Sequence, residues 1–453
     1  MKKPHTPRII SRSDHPISRA MLSPNALKIL YRLRDNGHIA WLVGGCVRDL
    51  LLGREPKDFD VATDATPGRI KKLFRNCRLV GRRFRLAHLH FNDEIIEVST
   101  FRRSAPAESA VETDDPSPAE PGAAGSSRFP RHLVSEEGMV LRDNVFGTPA
   151  EDSLRRDFTV NALAYNIADF SIIDFVGGVE DLRSGIIRTI GEAGVRFTED
   201  PVRMLRAVRF AAILGFAIEE ETWQALLENA PSITLATAPR LYEEVLKLFL
   251  SGAGERTYQL MRRGGLFAPL FPGLDAWLEQ ESDGFPHARI GRDLEWIDRR
   301  VSAGEPVSPS LLLALLFGEY LEESAADLRG RGIPLQEAFN GAVAGFLGGQ
   351  SPLVTIPHRV GVAVRDILAI QNRLRRIPGK RPEGVLARGC FRDALAYLRC
   401  RCEVTGEDRG ILAWWKRYEQ EHVIPSAEKR EEKPEAGRPR RRRRRRKGKP
   451  SSD

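Results

Sequence analysis

No stretch of the 453 residues is apolar for long enough to cross a bilayer: the longest uninterrupted apolar run is Leu311 to Phe317, about a third of a spanning helix. The N-terminal MKKPHTPRII is basic but has no apolar segment behind it, so it lacks the pattern of a secretory leader. Cysteine is scarce. The five residues Cys46, Cys77, Cys390, Cys400 and Cys402 are scattered, and only Cys400 and Cys402 are close, with no second pair to complete a zinc site. Together these absences argue against secretion, a membrane span and a disulfide framework, and lead to the expectation of a reduced, cytoplasmic protein. No repeat of fixed period is present.

A balanced charge is also missing, and the imbalance is local. The formal charge is +9, and the seventeen residues from Gly437 to Asp453 carry ten basic side chains (Arg438, Arg440 to Arg446, Lys447, Lys449) against one acid. The remaining residues therefore sum to zero. A block of like charge this dense cannot pack, so the sequence predicts a disordered polycationic tail over 421–453 suited to a polyanion, with salt-sensitive affinity.

With 42% hydrophobic residues the chain can bury a sizeable core. Helical spacing (Leu27, Leu30, Leu33) begins behind Ser23-Pro24, a cap and first-turn pair. A strand over Ile39–Val43, the Gly44-Gly45 break, a helix from Val47 to Leu52, a strand over Asp58–Ala62, a helix from Pro67 to Phe74, and strands over Arg78–Val80, Leu86–Phe91 and Ile95–Thr100 follow. Residues 104–138, rich in Ala, Pro, Ser, Glu and Gly, read as a flexible insertion. From Asp200 onward the spacing is helical: Arg203–Leu214, Glu220–Glu228, Leu241–Leu250, Glu255–Arg263, Ser310–Tyr320, Pro357–Arg376 and Phe391–Arg401. The expected architecture is α+β, with an extension at 1–22, a sheet-bearing head at 23–168, a helical neck at 169–270 and a helical body at 271–420.

The chemistry centres on Asp58-Phe59-Asp60. Side chains at i and i+2 of a strand share a face, and two carboxylates side by side repel unless divalent cations bridge them, which is the arrangement used for in-line phosphoryl displacement. Alone the triplet is weak evidence, since a solvated strand edge also explains it. Fourteen residues before Asp58, Gly44-Gly45 sits at a strand-to-helix turn, where backbone N–H groups can meet phosphates with no Cβ in the way, and Arg48 and Asp49 follow. A third carboxylate has two candidates: Glu97 in Ile96-Glu97-Val98, and Asp157 in Arg155-Arg156-Asp157-Phe158. Further on, Glu199-Asp200-Pro201-Val202-Arg203 opens a helix in which Glu199 and Arg203 are expected to share a face, continued by Arg206 and Arg209. Arginines beside an acidic pair can read a base edge and hold phosphate; the competing reading is a salt-bridged surface.

These segments resemble the class II nucleotidyltransferases, the family of tRNA CCA-adding enzymes and bacterial poly(A) polymerases. WLVGGCVRDLLLGREPKDFDVAT, SLRRDFTVNALAY, IIDFVGGVEDL, EDPVRMLRAVRFAA and PRLYEEVLKLF resemble its five motifs, in family order between residues 41 and 250. The resemblance implies a polymerase beta-like nucleotidyltransferase head in which Asp58 and Asp60 hold catalytic Mg2+ and Gly44, Gly45, Arg48 and Asp49 bind the triphosphate of the incoming nucleotide. It further implies that Asp157, with Arg156 and Asn161, contacts the ribose and completes the acidic site, and that Glu199, Asp200 and Arg203 select the base. Within the family, RNCRLVGRRFRLAHLHF, the segment PRIISRSDHPISRAMLSPNALKILYRL, AWWKRYE and the arginine tail are similar to the poly(A) polymerase branch. The implied activity is template-independent addition of AMP from ATP to RNA 3′ ends with release of pyrophosphate. CCA addition to tRNA and a non-catalytic RNA-binding protein are the alternatives.

Overall fold

The computed structural model describes residues 6–81, 86–103, 132–134, 140–143, 145–280, 289–350, 352–377, 379 and 381–422. Ten strands form around the first part of the chain: β1 (Arg8–Ile10), β2 (Ala40–Val43), β3 (Asp60–Thr63), β4 (Cys77–Val80), β5 (Leu86–His90), β6 (Ile95–Thr100), β7 (His132–Val134), β8 (Val140–Asp143), β9 (Ala164–Asn166) and β10 (Ile172–Asp174). Eight of them make one mixed sheet in the order β1-β10-β9-β2-β3-β6-β5-β4, in which β3 and β6 run parallel and the other pairs antiparallel. The α+β architecture is as expected. The sheet is wider than the expected head: β1 comes from the 1–22 extension and β10 lies past residue 168, because the ladder pairs Arg8 with Asp174 and Ile10 with Ile172.

Alternation sets which side chains face the core. In β6, Ile96, Val98 and Thr100 are buried, leaving Ile95, Glu97 and Ser99 on the other face; in β5, Ala87 and Leu89 are buried and His88 shares the face of Glu97. Val43, Ala62, Phe101, Ala164 and Ile173 form a core under the sheet, with Trp41 and Phe175 packed against it. Ser23 caps the helix Pro24–Asp35 by accepting from the N–H groups of Asn25 (3.1 Å) and Ala26 (3.3 Å).

Two sequence expectations change here. The strand predicted over Asp58–Ala62 begins only at Asp60, so Asp58 precedes the ladder. The insertion expected to be unstructured through residue 138 contributes β7, which pairs antiparallel with β8; residues 104–131 and 135–139 lie outside the described residues, as do Arg82–Phe84 and the basic tail.

From Val202 onward helices dominate, including Val202–Leu214, Glu220–Asn229, Ala238–Phe249, Gly254–Arg263, His358–Leu374 and Phe391–Thr405, close to the expected spans, and Pro309–Gly330, which runs well past the expected end at Tyr320. The run Leu311–Phe317 is buried at every position inside the 22-residue helix Pro309–Gly330, which is why it shows no helical alternation. Among the described residues no helix is long and apolar enough to cross a membrane. The helices Arg289–Ser302, Leu335–Gln350 and Arg409–His422, and a parallel two-strand pair of Ile186–Ile187 with Ala217–Ile218, were not anticipated. The chain divides into two compact units, 1–370 and 371–453. In the second, Trp415 is buried, donates from its indole Nε1 to the carbonyl of Leu374 (2.8 Å) and packs on Phe391 (5.5 Å between ring centres).

Candidate active site

Parallel pairing of β3 with β6 places Asp60 opposite Glu97, and antiparallel pairing of β6 with β5 places Glu97 opposite His88. An acid, an acid and an imidazole thus form a row on one face, with His88 Nε2 3.5 Å from Glu97 Oε2. Asp60 is exposed at the start of β3; partial desolvation of its carboxyl, then the charge of Glu97, and also that of Asp58, push it up to about 6, against the pull of the Arg156 guanidinium. Asp58 reaches this cluster from the connection before β3, not from the strand itself. Cys46 lies beneath, its thiol pushed up to about 12 by burial, with Asp60 nearby; a thiol so held is chemically inert at neutral pH.

The double glycine stands beside this row. Gly44 has φ +82°, a conformation that disfavours any side chain, and a Cβ there would come within 3.1 Å of Arg156 Nη1. Its N–H donates to the carbonyl of Leu163 (3.1 Å), and Gly45 begins the helix Gly45–Leu51. On that helix Arg48 is only 7% exposed. Its Nη1 donates to Asn161 Oδ1 (2.6 Å) and its Nη2 lies 2.7 Å from Asp49 Oδ1. Arg156 in turn donates to the carbonyl of Asn161 (3.2 Å) and to Asp152 (3.2 Å). Gly44, Arg48, Asp49, Arg156 and Asn161, predicted from separated segments, are therefore one connected group.

Asp157 is placed differently from Glu97. Its Oδ2 accepts from Arg206 Nε (2.7 Å), and its Oδ1 accepts from the N–H of Phe158 (2.9 Å) and from Asn161 Nδ2 (3.3 Å). Burial alone would raise this carboxyl, but the Arg206 charge and these donors outweigh it and hold it down at about 2. The acids that bear on Asp60 are Glu97 and Asp58, while the lone pairs of Asp157 are occupied by neighbours.

Glu199 and Arg203 meet, with Arg203 Nη1 2.8 Å from Glu199 Oε2. They do so across a break instead of along one helix: Glu199 ends Ala193–Glu199, Asp200 is extended at its C-terminus, and Pro201 caps Val202–Leu214. The arginines of the second helix are each held by an acid, Arg203 by Glu199, Arg206 by Asp157 and Arg209 by Glu244 (3.1 Å). The arginine row is thus ion-paired within the protein and not the solvent-facing salt-bridged surface of the competing reading. Leu205, Val208 and Ala212 fill the apolar face as predicted.

Three residues of this network were not singled out from sequence. Arg240 Nη1 and Nη2 donate to the two oxygens of Asp200, both at 2.8 Å. Arg196 donates to Glu199 (2.5 Å) and to the carbonyls of Arg155 and Arg156 (2.5 and 2.6 Å). Phe210 lies among three guanidiniums, those of Arg48, Arg206 and Arg209, at 5.1 to 5.2 Å from its ring centre. Arg240 and Phe210 carried a sequence signal, their places in PRLYEEVLKLF and EDPVRMLRAVRFAA; Arg196 matters through contacts between segments that spacing does not reveal.

The sheet, the acid row at its parallel pair and the glycine turn beside it define a nucleotidyltransferase head, and residues 40–188 match the family model described as the Poly A polymerase head domain. Residues 215–278 match "Probable RNA and SrmB- binding site of polymerase A", and residues 331–448 match "Polymerase A arginine-rich C-terminus". The chain is 43% identical over 414 residues to Poly(A) polymerase I of Escherichia coli O6:H1, covering 91% of this chain and 85% of that protein. With a CCA-adding enzyme of Bacillus velezensis it is 34% identical over 60% of this chain and 62% of the relative. The crystal structure of Bacillus stearothermophilus CCA-adding enzyme in complex with CTP is similar at a TM-score of 0.58 and 27% identity, covering 88% of this chain and 83% of that one. The chain belongs to the bacterial poly(A) polymerase I family.

Proposed function

We propose that the chain adds AMP from ATP to RNA 3′ ends, without a template and with release of pyrophosphate, and that Mg2+ is held by Asp58 and Asp60 with Glu97 as the third acid. The observation that carries this reading is the crowding of acids at Asp60, which stands directly opposite Glu97 across the β3–β6 pair and near Asp58. Such repulsion is unfavourable in the free protein and is relieved by a cation. Among the described residues no group of three or more His, Cys, Asp or Glu side chains is close enough to hold a metal ion by itself. Asp58 and Asp60 would supply the direct carboxylates, with Glu97 adding negative charge beside them, and Mg2+ completes its shell with water and substrate phosphates. When bound, the ion supplies charge stabilisation at the α-phosphate and a lowered pKa at the attacking hydroxyl.

The protein's own residues then have distinct tasks. The bare Cα of Gly44 lets phosphate approach the backbone beside Arg156, and Arg48, fixed by Asn161 and Asp49, presents positive charge to it. Asp157 acts by holding Arg206 and Asn161, so its part in ribose binding is to orient donors. Asp200, fixed by Arg240, and Arg203, fixed by Glu199, offer an acceptor and a donor for the edge of an adenine. The bond from the 3′-oxygen to the α-phosphorus forms as the bond to the β-phosphate bridging oxygen breaks, and no covalent enzyme intermediate is required.

Adenylate addition is preferred over CCA addition because the likeness to Poly(A) polymerase I runs over 91% of this chain, against 60% for the CCA-adding relative. The test is extension of an unstructured RNA beside a tRNA lacking CCA, each with ATP alone or with CTP. Repeated AMP addition to both is expected; two CMP and one AMP followed by arrest would overturn the reading. The five free thiols support a cytoplasmic location, and the head, neck, body and tail limits drawn from sequence remain our division, with β1 and β10 added to the head.

A further inference from the structure

Arg196 lies on the helix Ala193–Glu199, three residues before Glu199, and is buried. Its guanidinium acts as a fork. One prong, Nη1, donates to Glu199 Oε2 (2.5 Å), while the other, Nη2, donates to the carbonyls of Arg155 (2.5 Å) and Arg156 (2.6 Å). The carbonyl of Arg156 belongs to the peptide that leads into Asp157, and the carbonyl of Asp157 itself accepts from the N–H of Ile190 (3.1 Å). The backbone of Asp157 is thereby pinned on both sides, and with it the carboxylate that holds Arg206 and Asn161.

The first prong reaches the other end of the pocket. Arg203 Nη1 donates both to Glu199 Oε2 and to the backbone carbonyl of Arg196, each at 2.8 Å. Arg196 therefore holds Arg203 twice, once through its own carbonyl and once through the carboxylate the two guanidiniums share. Burial and the Arg203 charge pull the Arg196 guanidinium down to about 10, against Glu199 and Asp157, so it stays a cation near neutral pH. An ammonium group could supply that charge, but only at one point; two prongs in a fixed plane need arginine. Taking Asp200 and Arg203 as the base-reading pair of the function proposed above, we propose that Arg196 is a positioning residue for nucleotide selection. It sets Arg203 against the segment that carries Asp157, so that the base edge and the sugar of one nucleotide are gripped at a fixed separation.

The test measures binding of ATP and of inorganic tripolyphosphate to the full chain by calorimetric titration, with Mg2+ and without RNA. Arg196→Lys keeps the charge and Arg196→Gln, which tolerates burial better, removes it; both lose the fork. Each should weaken ATP binding about tenfold and leave tripolyphosphate, which has neither base nor sugar, bound as tightly as by the natural chain. In an Arg203→Lys background, Arg196→Lys should weaken ATP binding by less than a further twofold or so, because the two residues act as one unit. An equal loss for tripolyphosphate would show a general structural role and overturn the proposal. So would unchanged ATP affinity in a folded variant, or a second full loss in the Arg203→Lys background. Binding is read without extension, so CMP incorporation in the tRNA assay would overturn the proposed function and leave this result standing, while failure here leaves AMP addition untouched.

Discussion

Binding of Mg2+ should release protons from Asp60, and the amount is fixed by its raised pKa. With the free carboxyl at about 6, roughly 0.5 proton is bound at pH 6, about 0.1 at pH 7 and about 0.01 at pH 8. A cation that requires the carboxylate form displaces that fraction. Calorimetric titration of Mg2+ with ATP present, repeated in buffers of different ionisation enthalpy, reads the number directly. Asp60→Asn should remove the pH 6 release, and Glu97→Gln should shift it to lower pH, because Glu97 is the neighbour that contributes most after burial. The stability sign follows from the same value. The folded carboxyl binds its proton more tightly than an unfolded aspartate, so the metal-free fold gains below about pH 4 and loses that gain as the pH rises through about 6. Asp60→Asn should therefore raise the melting temperature of the metal-free protein at pH 8 while abolishing extension. Release at pH 6 no larger than at pH 8, or release that persists in Asp60→Asn, would refute the assignment.

Asp157, held at about 2 against an ordinary 3.8, contributes about 2 kcal/mol that is present above about pH 4 and lost as the pH falls toward 2. Asp157→Asn should lower urea resistance equally at pH 7 and pH 5, and an unchanged midpoint would contradict the ion-pair account. Phe210→Leu removes the ring that Arg48, Arg206 and Arg209 share; a rise in the KM for ATP of about tenfold is expected, with Phe210→Tyr close to the natural enzyme. Arg240→Lys loses the two-pronged grip on Asp200, and the preference for ATP over CTP should fall about tenfold in competition extension assays.

Much of the head was legible because its signals are local. Ser23 before Pro24, the glycine pair and the alternation in Ile95–Thr100 each act within a few residues, and the corresponding elements lie where they were read. Which of Glu97 and Asp157 stands beside Asp60 was not legible, since it depends on which strand pairs with β3 and on Arg206, 49 residues away, occupying Asp157. Glu199 and Arg203 show the reverse case: four-residue spacing correctly joined them, although Pro201 separates their helices. The helices Leu335–Gln350 and Arg409–His422 escaped because glycines in the first and the aromatic cluster in the second blur the apolar stripe.

The sheet order also determines when the head can form. β1 pairs with β10 and β2 with β9, so a nascent chain carries its first strand unpaired until residue 174 has left the ribosome. The chain between β6 and β9 is long, but the entropic cost of closing a connection grows only slowly with its length. The length of that connection is therefore inexpensive to change, while the outer rungs of the ladder, made only once residue 174 is available, decide whether the first strand finds its place.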